Sequence, residues 1–283
     1  MHNWGTAARQ HHAPSSPQAQ IANERVAVTV IVAHPHRRTR CRKFLKLSSD
    51  ESIRNFMSSL AAEVAKAGLS SRIFDERQLA RLLGGGSARR YALVNRALKD
   101  GSLIRLKRGT YALGKPFRSD PIHPFAMAQA ILPGSYISFE TALSHHGWIP
   151  EAVFETSSVT PGRKTIVHEA PDLGRFTFHP LAIAEYQFFR AVERRQFGQS
   201  TAFIASPLRA LLDLVALRKE RWTDLHWLTG GLRIDEQHLS SLRKKDFAAL
   251  AAVYKHKAVN HFLRSLEEAV VGGVTRAANG TAW

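Results

Sequence analysis

The chain has a single cysteine, Cys41, so no intrachain disulfide can form and no cysteine-based zinc site can be assembled. Long apolar runs are missing too. The longest, Val26 to Ala33, falls far short of the roughly 20 residues a bilayer-spanning helix needs. Met1 to Gln20 lacks the charge, apolar core and small-residue order of a secretory signal. These absences lead to the expectation of a cytoplasmic protein without membrane association. Nucleotide and hydrolase signatures are absent as well: there is no P-loop, no Gly-rich dinucleotide fingerprint and no Gly-x-Ser-x-Gly elbow.

Acidic residues are the other scarcity. Among 283 residues, 23 Asp and Glu stand against 40 Lys and Arg, a formal net charge of +17. The excess is concentrated. Residues 72–118 hold twelve Lys and Arg against three acidic residues, which is +9 of that +17. A basic excess on one short stretch points to a polyanion, most simply duplex DNA.

The local signals in this stretch are specific. Ile53, Met57, Leu60 and Val64 keep helical spacing and predict a helix from near Ser52 to near Gly68. Asp75 and Gln78 form a capping box, with Phe74 and Leu79 as its hydrophobic staple and Gly84 as the stop. A further helix is expected from an N-cap at Ser87 to about Lys99. Tyr91, Val94 and Leu98 would face inward, Ala97 would sit at their margin, and Arg89, Ala92 and Arg96 would face outward. Ile104 to Leu113 reads as a hairpin turning at Arg108-Gly109, with Ile104 and Leu106 inward and Arg105 and Lys107 outward.

Helix, helix, basic helix, basic hairpin is the order of a winged helix-turn-helix, which lays its second helix in the major groove. The planar fork of Arg can donate two hydrogen bonds to a guanine edge, so Arg89 and Arg96 are the candidates for base contacts. Arg90, Lys99, Arg105, Lys107 and Arg108 are the candidates for phosphate contacts. The fold class expected is α+β: a winged helix-turn-helix over 52–118 followed by a mixed α/β C-terminal domain over 120–283. Residues 1–50, rich in Pro, Ser, His and Arg, are expected to form a disordered extension.

Beyond Asp120-Pro121 the pattern predicts a helix from His123 to Leu132, then a short helix capped by Ser138 and ended by Gly147. Strands are expected at Val153 to Thr160, Lys164 to Val167 and Gly174 to His179. A helix follows from Ser206-Pro207 to about Lys219. Asp213, inside that apolar helix, is expected to accept a hydrogen bond or pair with an Arg in the core, because a lone buried charge is costly. A continuous amphipathic run is expected from Phe247 to Val270, with Trp222 and Trp227 in the core and His256 and Lys257 solvated.

Catalytic and metal constellations are weak. His145 and His146 are adjacent, so on a helix they diverge where an i, i+4 pair would converge. His168-Glu169 sits near a loop and reads as exposed polar surface. Asp172 with Glu185, Tyr186 and Gln187 faintly follows the acidic pattern of metal-dependent nucleases, with Gln187 where a lysine is usual. Neither a cofactor nor a metal is expected, and no enzymatic activity.

Four segments, in order, resemble the AbiEi family, the antitoxin and transcriptional-regulator half of bacterial type IV toxin–antitoxin systems. They are Leu106-Lys107-Arg108-Gly109-Thr110-Tyr111-Ala112-Leu113; Tyr136-Ile137-Ser138 through Ala142-Leu143-Ser144 to Gly147; Val159-Thr160-Pro161-Gly162-Arg163; and Ala205-Ser206-Pro207 through Ala210-Leu211-Leu212-Asp213. The likeness covers residues 70–220. It implies a winged-helix domain that represses its own promoter by binding inverted repeats there. It also implies a second domain that counteracts a cognate nucleotidyltransferase-like toxin. Many relatives lack a demonstrated toxin partner, so a stand-alone winged-helix repressor is the alternative.

Overall fold

The computed structural model describes residues 60–170 and 173–272, all of them within one compact unit. The expected extension over 1–50, the helix start near Ser52 and the Pro171-Asp172 pair lie outside the described residues. The fold is α+β, with two sheets and several helices.

Helical residues 60–66 form α1, and a turn at Gly68 (φ 71°) follows. Strand β1 (Phe74–Asp75) leads directly into α2 (Glu76–Leu83). The Asp75 carboxylate accepts from the Gln78 amide at 2.7 Å, and the Gln78 side chain accepts from the Asp75 amide at 2.8 Å. The capping box is therefore complete, and Phe74 and Leu79 are buried in one cluster as the staple requires. α3 (Ser87–Lys99) follows, with Gly86 rather than Ser87 as its N-cap. β2 (Leu103–Lys107) and β3 (Thr110–Leu113) complete a three-stranded sheet in the order β1-β3-β2.

The β2–β3 hairpin has a core on each face. Leu103, Tyr111 and Leu113 close a small cluster with Leu60, Val64, Phe74, Leu79 and Ala97. Leu106 and Ala112, pointing the other way, belong to the large core of the rest of the molecule, and Ile104 packs against it.

That larger part contains α4 (Pro124–Ile131), β4 (Tyr136–Ile137), α5 (Phe139–His145), β5 (Glu155–Thr160), β6 (Ile166–Ala170), β7 (Gly174–Pro180), β8 (Val192–Phe197), β9 (Ser200–Ala205), α6 (Pro207–Arg218), α7 (Glu236–Ser240), α8 (Lys244–Leu250) and α9 (Lys257–Glu267). The strands form a six-stranded mixed sheet in the order β6-β7-β5-β4-β9-β8. β5 and β6 follow each other in sequence but are not neighbours, because β7 lies between them, parallel to β5 and antiparallel to β6. The β8–β9 pair has no counterpart in the sequence reading. Glu193, Arg194, Arg195 and Gln196 are all exposed, so the alternation that marks a half-buried strand is absent from β8.

His168 and Glu169 lie near the end of strand β6, paired with Phe176 and Arg175, with Glu169 exposed and His168 half-buried. One further expectation needs correction. The run from Phe247 to Val270 is not continuous: α8 ends at Leu250 and α9 begins at Lys257. Between them the chain leaves the helical path so that Tyr254 pairs with Ile183 and turns its hydroxyl into the core. Trp222 and Trp227 pack their edges on Phe262, as core residues do.

Candidate nucleic-acid interface

α3 presents the most strongly basic helix face of the described residues. Arg89, Arg96 and Lys99 are exposed along it. Ala97 is buried, while Leu93, Val94 and Leu98 pack against the small core. The buried face is thus turned by roughly 60° from the one the spacing suggested, taking in Leu93 and releasing Tyr91. Tyr91 is 71% exposed, a correction to its expected place in the core. The cause is the size of the small core: α2 and the hairpin cover only the Leu93, Val94, Ala97 and Leu98 side of α3. Tyr91 instead lines a shallow cleft with Glu76, Leu79, Arg90, Val94 and Tyr111.

Arg89 and Arg90 both lie against the Gly84-Gly85-Gly86 turn. The Arg90 guanidinium donates to the Gly85 carbonyl. Gly85 has φ 66°, a left-handed conformation that favours glycine in this turn. Across the module, Arg105 is exposed with its guanidinium 5.9 Å from the Tyr111 ring centre, and Arg108 is exposed at the hairpin turn. Gly109 (φ 74°) accepts the Glu76 amide at 2.9 Å, which ties the turn to the start of α2.

Lys107 stands apart from the other predicted contacts. Its ammonium donates to the Ile131 carbonyl at the end of α4, 2.9 Å away, and so joins the hairpin to the large part of the molecule. A bulge between Arg105 and Lys107 re-aims the strand there. This lysine is committed within the protein; Arg89, Arg96, Lys99, Arg105 and Arg108 are exposed.

The other notable constellation is internal. Arg209 and Asp213, one turn apart on α6, are both fully buried. Asp213 Oδ1 accepts from Arg209 Nε at 3.0 Å and from the Tyr254 hydroxyl at 2.7 Å. Its Oδ2 accepts from Ser138 at 2.7 Å and from Tyr136 at 3.0 Å. Arg209 also donates to the carbonyls of Arg190, Gln187 and Phe188. Burial pulls the Arg209 pKa down, but the neighbouring Asp213 charge raises it further, so the net direction is upward. Burial, and then the Asp213 charge, push both tyrosines well above their ordinary value. Arg209 is therefore held charged and both tyrosines protonated, the states in which they donate to this network.

Phe139, the first residue of α5, is fully buried with φ 55°, a left-handed conformation costly for a bulky side chain. That kink follows Ser138, whose hydroxyl bonds Asp213 rather than capping α5. The Tyr136–Ser138 and Ser206–Asp213 segments of the resemblance thus meet at one buried polar centre. Asp213, expected to accept a hydrogen bond or to pair with an Arg, does both. Its partner, four residues earlier, had the ordinary i, i+4 signal in sequence.

The remaining candidates do not converge. His146 Nε2 lies 2.8 Å from the Ala205 carbonyl, and the His145 ring packs on Phe125 and Phe197. Burial lowers the pKa of both. No group of His, Cys, Asp or Glu among the described residues is arranged to hold a metal ion. Glu185 is exposed, and Gln187 meets Arg209 through its backbone carbonyl. No described helix is long and apolar enough to cross a membrane. No protein-family model matches the chain, and no curated protein matches it.

Proposed function

We propose that the chain is a DNA-binding transcriptional regulator of the AbiEi antitoxin type, acting in the cytoplasm without enzymatic chemistry. In this reading the module around α2, α3 and the hairpin is a winged helix-turn-helix that represses its own promoter by binding inverted repeats. The larger part counteracts a cognate nucleotidyltransferase-like toxin. The observation that supports DNA binding most directly is the outward face of α3, where Arg89, Arg96 and Lys99 are exposed opposite a packed apolar side, with Arg108 exposed at the neighbouring turn.

Arg89 and Arg96 take the base-edge role, and Arg90, Lys99, Arg105 and Arg108 the phosphate role. Tyr91 joins them as an apolar contact, suited to a thymine methyl.

The test is a gel-shift titration on duplex DNA from immediately upstream of the chain's own reading frame, against scrambled duplex. Arg89→Ala and Arg96→Ala are expected to cost roughly 1–3 kcal/mol of discrimination per lost base contact. Arg105→Ala and Arg108→Ala are expected to weaken both duplexes alike and to flatten the salt dependence. Unchanged discrimination in the Arg89/Arg96 double variant would sink the recognition face. Relief of toxicity on co-expression with a neighbouring gene supports the antitoxin role. Promoter binding without such a neighbour leaves the stand-alone repressor.

A further inference from the structure

The tip of the β8–β9 hairpin, Phe197-Gly198-Gln199, touches both regions of the molecule. Phe197 enters a cage of rings from the large part. The His123 imidazole stacks on it with centres 4.4 Å apart, and Phe125 and His145 meet it edge-on at 5.3 and 5.7 Å. Two residues on, the Gln199 side chain accepts from the Arg72 guanidinium at 3.3 Å. Arg72 belongs to the basic module and lies just before β1.

The cage is rich in imidazole and poor in carboxylate. His146 lies beside His145, their ring centres 5.4 Å apart, and its Nε2 is 2.8 Å from the Ala205 carbonyl. His123 Nδ1 accepts the Phe125 amide at 3.2 Å and so caps α4. An imidazolium has two donors and no acceptor, so a second proton on His123 breaks that cap. Glu193, Arg195 and Phe197 share one face of β8. Glu193 is the only carboxylate of the described residues that acts on these rings, at His146, and Arg195 already holds it at 2.9 Å. Arg175 lines a cavity with His123 and His145, and is ion-paired with Glu155 at 3.4 Å and Glu169 at 3.6 Å. Each proton taken up by the cage is therefore charge without a free counter-ion. The face of Phe197 can offset part of one such charge, but not of three crowded around a single ring.

We propose that this tip is an acid-released latch: neutral His123, His145 and His146 close on Phe197, and charging them frees the tip and its hold on Arg72. Burial holds all three imidazoles below their ordinary value. At His145 the charges of His146, His123 and Arg195 act in the same direction. A freed tip takes up protons more readily than a closed one. The latch is thus closed above about pH 6.5 and loosens as the pH falls below it. It operates whether or not the basic module binds DNA.

The test is hydrogen exchange of the full chain at about pH 7.5 and about pH 5.5, corrected for intrinsic exchange chemistry. The amides of Gln196 to Thr201 are expected to open about tenfold more often at the lower pH, with those of α6 unchanged. His145→Phe keeps a ring in the cage and removes one titrating group. His146→Gln keeps a donor for the Ala205 carbonyl. Each is expected to remove part of the acceleration, and the two together most of it. Unaltered α6 exchange at the higher pH shows that a variant is folded; if the double variant fails there, the single variants carry the comparison. Equal opening of the tip at the two pH values, an acceleration that survives the substitutions, or one shared equally by α6 overturns the proposal.

Discussion

Arg96 on α3 and Arg209 on α6 sit alike in sequence, each followed by Ala and Leu and each with an Asp four residues on. In the structure Arg96 is exposed, whereas Arg209 is fully buried against Asp213. The spacing does not distinguish them; what other elements bring does. Asp213 is met by hydroxyls of Tyr136, Ser138 and Tyr254 from three separate segments, so an ion pair can be buried with its lone pairs satisfied. Asp100 sits at the helix end and accepts the Ser102 amide at 2.9 Å. The two regions around these helices differ in the same way. Among the described residues the small cluster has nine buried apolar side chains and the large one forty. With so little interior, Arg89, Arg96, Arg105 and Arg108 stay exposed, and Arg90 and Arg118 are only half-buried.

The largest effect that would break this comparison is at Asp213. Asp213→Ala leaves Arg209 buried without its counter-charge and takes the acceptor from the Tyr136, Ser138 and Tyr254 hydroxyls, and is expected to cost about 3–5 kcal/mol in urea unfolding. Asp100→Ala is expected to cost about 1 kcal/mol, the value of one partly exposed hydrogen bond. Equal costs at the two sites would show that the buried network is not what separates the regions.

The next effect sharpens the boundary between them. Leu106 lies on the hairpin of the small sheet but is buried in the large core. Leu106→Ala is expected to cost about 2–5 kcal/mol. Because the hairpin is shared, unfolding followed by far-ultraviolet circular dichroism and by tryptophan fluorescence should shift together. Trp148, Trp222 and Trp227 all report on the large part. Two separated transitions would mean that the small region folds on its own.

Much of the small region was legible because its determinants are local. Asp75 and Gln78 lie three residues apart, and the hairpin turn announces itself as Arg108-Gly109. The face of α3 was read about 60° off, because the spacing of apolar residues does not tell how much cover a small core provides, and Tyr91 fell outside it. In the larger part Ser206 capping α6 was legible for the same local reason. The order of β5, β6 and β7 was not, since a parallel neighbour brought in from further along the chain leaves no local mark. β8 escaped notice because both of its faces are polar. The partners of Asp213 lie 41 to 77 residues away, apart from Arg209, and only the fold assembles them. The basic character of α3 needed no assembly at all.

Lys107 gives the smallest effect and the most direct test of where surface ends and tether begins. In sequence it is one more cation of a basic hairpin; in the structure its ammonium is bound to the Ile131 carbonyl. Lys107→Met keeps the length of the side chain and removes the donor. It is expected to lower stability by about 1 kcal/mol, the net worth of a single hydrogen bond. The salt dependence of DNA binding should stay as it is, because a lysine committed within the protein releases no counterions from DNA. Arg108→Met, one residue on and exposed, should leave stability within about 0.5 kcal/mol and reduce the salt slope by about one. If the two variants exchange these behaviours, Lys107 leaves Ile131 for a phosphate when DNA binds, and the hairpin's anchorage to α4 is released in the complex.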